Sequence, residues 1–593
     1  MVGFLRWAAS ILAGTFNGLI KVALAVAVII GVLVLVGLAR GDGLPGNMVL
    51  TANLSAPLPD SLPRAAVSLT PRPLSVMQTV LALDQAGRDN RVKGFFIRLG
   101  SAGLSVPEAE ELSAAVQRFR ATGKFVIADA GGFLSPGLGD YLLATSASEI
   151  WMQPMSPFAA SGVGAGAVFL RGLFDKIGAV PQIVKRADFK SAADMFMQKG
   201  YTPADRLQTT ALLQSWYTSA TEAAAAARKI TPAALDADLQ ASPQFADDAK
   251  KAGLIDKIGY DDDAKAAALA RAGSGAEAVR LSDYADATRD DAEFGAGARV
   301  ALITGEGEIV DGSAGDGLFG GKAVIAGDDF ARAISAATKD KEITAILLRI
   351  DSPGGSVTAS DQILHALKEA RAAGKKVVVS MGSVAASGGY YISASADRIV
   401  AEPGTITGSI GVLTGKVSFG KSLGLIGVSA DEIGVGKNAL FDSSISPYTD
   451  DQMAALNHQA DVIYADFMGK VAAGRKLPLA KVQGIAKGRV WSGADAKAQG
   501  LVDELGGFWT AVDALKRVAG LPADARVVFK RYPRPHSFFE ALDEMFGQSE
   551  ASARAVAGLA ALAQTPVARA MMSAMADVPR DGVELRATNL PLN

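Results

Sequence analysis

The sequence predicts an α/β protein built from two tandem copies of one domain, behind an amino-terminal membrane helix. Three observations carry this. The chain has 593 residues, more than one hydrophobic core organises, so two domains of a few hundred residues are expected. It also repeats itself: VKGFFIRLGSAG at Val92 corresponds to ITAILLRIDSPGG at Ile343, and ATGKFVIADA to AAGKKVVVSM, where Gly374 minus Gly123 gives an offset of 251. KAGLIDKIGY at Lys251 matches AQGLVDELGGF at Ala498, with Gly500 minus Gly253 giving 247. Within each copy, apolar strand-like runs alternate with amphipathic helical segments, the pattern of a largely parallel sheet covered on both faces.

Val22 to Ala39 is a run of 18 uncharged residues between Lys21 and Arg40, long enough at about 1.5 Å per residue to cross a hydrocarbon layer. It exceeds the apolar core of a cleaved signal peptide, so an uncleaved anchor is expected. Arg6 and Lys21 bias residues 1–21 to the cytoplasm. A Gly/Pro-bearing stretch, Asp42 to Gly46, then leads into the first domain, expected over 44–271. The Gly-, Asp-, Glu- and Ala-rich segment 272–297 reads as a linker and 298–535 as the second domain. Arginines and a proline interrupt the tail, 536–593, which reads as an interfacial or docking helix.

Composition narrows the chemistry. With 59 basic and 61 acidic residues and no basic cluster, nothing suggests a nucleic-acid partner. Cysteine is absent, which removes disulfides, thiolate metal sites and a cysteine nucleophile. The three histidines, His365, His458 and His536, have no metal-ligand spacing.

Two glycine-rich turns in the second copy are candidates for a site. DSPGGS, Asp351 to Ser356, follows the strand AILLRI; its glycines can turn backbone amides outward to meet a developing oxyanion, although an ordinary strand-to-helix turn has the same composition. In MGSVAASGGYY, Met381 to Tyr391, Ser387 sits at a sharp small-residue turn with the Gly388 amide beside it. Ser383, Ser356 and Ser409 are rival hydroxyls. The first copy places Leu138 opposite Ser387 and LGSAGLS opposite DSPGGS. Conversely, ADFKSAADMF supplies Lys190 where the second copy offers Ala439 or, after a short slip, Lys437. Such paired loss fits a site divided between the copies. A serine needs a base; a lysine amine serves if burial lowers its pKa from about 10.4 to about 7, roughly 4.6 kcal/mol of disfavoured charge. Phe189 and Phe196 are the expected apolar neighbours.

With these motifs the chain resembles the signal peptide peptidase A (protease IV) family in its double-length Gram-negative form. DSPGGSVTAS, VVVSMGSVAASGGYYIS, TGSIGV, GRVWSGADAKAQGLVDELG and ADFKSAADMF carry the resemblance, from the anchor to about residue 530. It implies two tandem ClpP/crotonase-like domains and a serine/lysine dyad with Ser387 as nucleophile and Lys190 as general base. It further implies Gly388 with Gly354 or Gly355 as oxyanion donors and Ser409 orienting the lysine. Also implied are signal-peptide substrates, a single-pass inner-membrane anchor with periplasmic domains, a homotetramer, and no metal or cofactor. The alternatives are a crotonase-like acyl-CoA enzyme, for which an outward-facing anchor is a poor setting, and a non-enzymatic membrane scaffold built from a degenerate duplicate.

Overall fold

The computed structural model describes residues 42–61, 74–100, 103–134, 137–288, 295–314 and 323–533. The expected membrane helix, 22–39, and the tail, 536–593, lie outside the described residues. Among the described residues no helix is long and apolar enough to cross a membrane.

Each copy folds around one parallel sheet. In the first, the strands run across the sheet in the order Lys257–Ile258, Glu149–Met152, Phe125–Ala130, Val92–Leu99, Met48–Asn53 and Glu277–Arg280. The second repeats this arrangement with Glu504–Leu505, Arg398–Ala401, Lys376–Ala386, Ala345–Ser352, Ala298–Glu306 and Val527–Tyr532. There the long strand Lys376–Ala386 also pairs beyond Val384 with Ile406–Gly408, which pairs antiparallel with Val490–Ser492. The helices start where the sequence supplies caps: Ser75, Ser105 and Ser356 each accept the amide of the residue three further on.

The segment 272–297 is not simply a linker, which corrects the expected boundary at 271. Glu277–Arg280 pairs in parallel with Met48–Asn53 and finishes the first sheet, as Val527–Tyr532 finishes the second against Ala298–Glu306. It follows at once with the short helix Leu281–Ala287, whose Leu281 and Tyr284 are buried. The strand is four residues of the edge sequence EAVR, of which only Val279 is half-buried, so its composition has little of a strand's signature.

The unalternated strand AILLRI is explained by where its two faces go. Ile346, Leu348 and Ile350 join the core of the second copy. Ala345 and Leu347 point the other way, into a core shared with the first copy that also takes in Val378, Phe508 and Ala511. Arg349 continues this second face and is 2% exposed. It meets Asp60 at 2.7 Å and Glu111 at 2.7 Å, both from the first copy, so the copies are joined by apolar packing around a buried ion cluster.

Candidate active site

The lysine of the first copy is carried into the second by strand pairing. Val180–Arg186 runs antiparallel to Val412–Ser418, from Val412 opposite Arg186 to Ser418 opposite Val180. Beyond Arg186 the chain turns, and the Phe189 amide donates to the Lys487 carbonyl at 3.1 Å. Gly488, at φ 73°, lies directly behind the turn: a Cβ there would stand 2.6 Å from the Lys190 Cβ. Only glycine fits so close an approach in that backbone region.

Lys190 is 7% exposed. Its Nζ lies 3.0 Å from Ser387 Oγ, 2.9 Å from Ser409 Oγ and 3.0 Å from the Ser409 carbonyl. Burial pushes the amine down to about 8, because desolvation disfavours the ammonium. Phe196, expected beside the amine, stacks on Phe174 with centroids 5.9 Å apart, and Phe189 lies under the Arg489 guanidinium.

Ser387 stands between the strand Lys376–Ala386 and the helix Gly388–Ser393, with φ 52° and ψ −116°, a conformation disfavoured for a residue with a Cβ. Two features hold it there. Its amide donates to the Gly408 carbonyl at 2.9 Å, and the approaching strand is fixed by the Asp351 carboxylate, which accepts from the Ser383 and Val384 amides at 3.2 Å each. Ser409 has φ 50° and its amide is held by the Arg489 carbonyl at 2.8 Å.

The turn Asp351 to Ser356 packs against the serine. A Cβ at Gly354 would lie 2.6 Å from the Gly388 nitrogen and 2.7 Å from the Ser387 Cβ. The structure separates the two glycines the sequence left equivalent. The Gly354 amide donates to Ser352 Oγ at 3.2 Å, whereas neither the exposed Gly355 amide nor the Gly388 amide meets a protein acceptor among the described residues. Gly355 is held by the strand Glu308–Val310: Ile309 donates to the Gly354 carbonyl and accepts from the Ser356 amide, both at 2.8 Å.

The rivals lie elsewhere or do other work. Ser356 caps the helix Val357–Ala372 and donates to Asp311 at 2.5 Å. Lys437 is exposed and pairs with Asp451 at 2.9 Å. His365 and His458 are exposed, and His536 lies outside the described residues. Among the described residues no cluster of His, Asp or Glu could hold a metal ion. A buried amine in contact with a strained serine, with unpaired amides in the adjoining turns, supplies parts that acyl transfer needs.

The sequence pattern of Peptidase family S49 matches residues 118–275 and again 369–522, which together exceed half of the chain. The chain belongs to peptidase family S49. Two S49 regions in one polypeptide make it the double-length form, and the pattern of Clp protease matches 326–403, in keeping with a duplicated ClpP-like α/β fold. The chain is 32% identical over 534 residues to Protease 4 of Salmonella typhi, covering 88% of this chain and 83% of that one. It is 31% identical to Protease 4 of Haemophilus influenzae, over 77% and 75% of the two chains. The chloroplastic serine protease SPPA of Arabidopsis thaliana is 30% identical, over 78% and 68%. This S49 chain is a serine peptidase. What its sequence did not disclose is the packing around the lysine: Gly488 sits in the quoted run GRVWSG, but nothing local to that run names Lys190 as its neighbour.

Proposed function

We propose that Ser387 and Lys190 form the peptidase's serine/lysine dyad, and that the enzyme degrades signal peptides released from their precursors. The observation that carries the reading is the 3.0 Å separation of Lys190 Nζ from Ser387 Oγ with no carboxylate among the amine's hydrogen-bond partners in the described residues. The neutral amine takes the Ser387 proton as Oγ bonds to the substrate carbonyl carbon. The carbonyl oxygen becomes an oxyanion, received by the Gly355 and Gly388 amides. As the tetrahedral intermediate collapses, the C–N bond breaks and the Lys190 ammonium gives its proton to the leaving amine. Water, deprotonated by the same lysine, then releases the acyl group and restores the Ser387 hydroxyl. Ser409 accepts from the amine and aims its lone pair at Ser387 Oγ.

The setting belongs to the same proposal: residues 22–39 anchor the chain in the inner membrane, both copies stand in the periplasm, and four chains assemble. An extended, apolar signal peptide is a substrate that such a location supplies. The test is hydrolysis of a synthetic signal peptide by wild type, Ser387→Ala and Lys190→Ala. Each variant is expected to lose activity by about a thousandfold or more; near-full turnover by either removes its residue from the reaction. Turnover by wild type of unrelated peptides only would remove the signal-peptide assignment while leaving the dyad.

A further inference from the structure

The two copies share a long helix that differs at one telling position. Pro203–Arg228 and Asp450–Arg475 are each 26 residues, each capped by a threonine and each ended by a left-handed lysine. Aligned at those ends, with Arg475 minus Arg228 giving 247, Gln208 of the lysine-bearing copy corresponds to Ala455 of the serine-bearing copy. Gln208 is 3% exposed. Its Nε2 donates to the Phe189 carbonyl at 3.0 Å, Ser191 Oγ at 2.9 Å and Asp205 Oδ1 at 3.0 Å, and its Oε1 accepts from the Val490 amide at 3.2 Å. Phe189 and Ser191 are the two chain neighbours of Lys190. Val490 follows Arg489, whose carbonyl holds Ser409. One side chain thus fastens both flanks of the lysine to the segment that fixes the lysine's other partner.

We propose that Gln208 is a positioning residue for peptide hydrolysis, locking the Lys190 loop onto residues 488–490 so that the amine stays dry and in line with Ser387 Oγ. The inference rests on the dyad proposed above. The position needs a neutral group that both donates and accepts, since it faces a carbonyl on one side and an amide on the other. Of the charged groups on the packed elements, Asp194 pairs with Lys185 at 2.7 Å and Arg186 with Asp461 at 2.7 Å, Arg489 lies over Phe189 and Trp491 with its Nε buried and without a hydrogen bond, Asp205 accepts from Gln208 itself, and Asp188 and Lys487 are exposed. A carboxylate at position 208 would add a charge that favours the ammonium.

The experiment compares full-length wild type, Gln208→Met, Gln208→Glu and Lys190→Ala in hydrolysis of a fluorogenic peptide from mildly acidic to alkaline pH, with melting curves for each. Gln208→Met keeps the volume and removes the hydrogen bonds. It is expected to lower kcat about tenfold or more with KM within about twofold, and to move the acid limb of the rate profile to higher pH as water reaches the amine. Gln208→Glu is expected to move that limb further the same way. A folded variant with the wild-type kcat and limb overturns the inference, as does a loss of melting temperature with the limb unmoved. If Gln208→Met does not fold, Gln208→Glu, which keeps size and acceptor, decides alone. Full activity in Lys190→Ala would sink the dyad itself, whereas an inactive Lys190→Ala beside fully active Gln208 variants sinks only this inference.

Discussion

In the proposed reaction Lys190 acts as a base only in its uncharged form, so the direction of its pKa sets the direction of the rate. Burial holds the amine down to about 8; below that pH it is protonated and idle, and above it the neutral fraction saturates. Activity is therefore expected to rise from neutral pH and level off above about 8, and a profile still climbing toward the ordinary lysine value of about 10.4 would show that the amine is hydrated. A second prediction concerns Gly354. Its φ of 106° and the 2.6 Å from a Cβ to the Gly388 nitrogen leave Gly354→Ala no place except into the serine turn. We expect a loss of kcat of about a hundredfold, measured as kcat against KM, with the fold kept. The meeting of Lys190 and Ser387 was legible in the sequence because each copy carries the group the other lacks. Gln208 and Gly488 were not, since their meaning lies in contacts with segments 282 residues from Gln208 and nearly 300 from Gly488, which no local pattern encodes.

At the level of elements, the strand Val180–Arg186 is what brings Lys190 of one copy against Ser387 of the other. Gly415 sits inside that pairing at φ 141°, where a Cβ would lie 2.3 Å from the Gln182 carbonyl. Gly415→Val should therefore part the two strands and abolish most activity, measured by peptide hydrolysis. The two sheets, whose cores do not include this strand pair, should keep near-native circular dichroism. The central strands were readable as apolar runs because both of their faces are buried. Glu277–Arg280 was not, because a short edge strand with one half-buried side chain looks like the linker around it. The same scaffold bonds recur at both sites: Tyr141 donates to the Leu254 carbonyl as Tyr390 does to that of Leu501, and Arg228 pairs with Asp256 as Arg475 does with Asp503. These shared residues hold the fold, and the unshared ones are the candidates for chemistry.

For the whole molecule, the junction of the copies depends on Arg349. It donates to Asp60, Glu111, Ser380 Oγ and the Met381 carbonyl from a fully buried position. Glu402, buried in the same junction, is pushed well above the usual carboxylate range by burial and by Glu111. Removing this cation strands the acids around it. Arg349→Met is expected to cost about 3–5 kcal/mol in denaturant unfolding, with a smaller loss if Asp60 and Glu111 are replaced by apolar residues in the same chain. Neither the ion cluster nor its partners were foreseen, because Asp60 and Glu111 lie 289 and 238 residues from Arg349 and neither belongs to a motif.

The bonds between Val180–Arg186 and Val412–Ser418 are those of any sheet and do not depend on the peptide that connects the halves. Under the proposed chemistry, joining the halves in one reading frame fixes their supply at one to one and excludes inactive pairings of like with like. Each half is then free to mutate wherever its sibling already provides the missing group. The duplication is in this sense a division of labour, and its cost is that a single frameshift between the halves silences both.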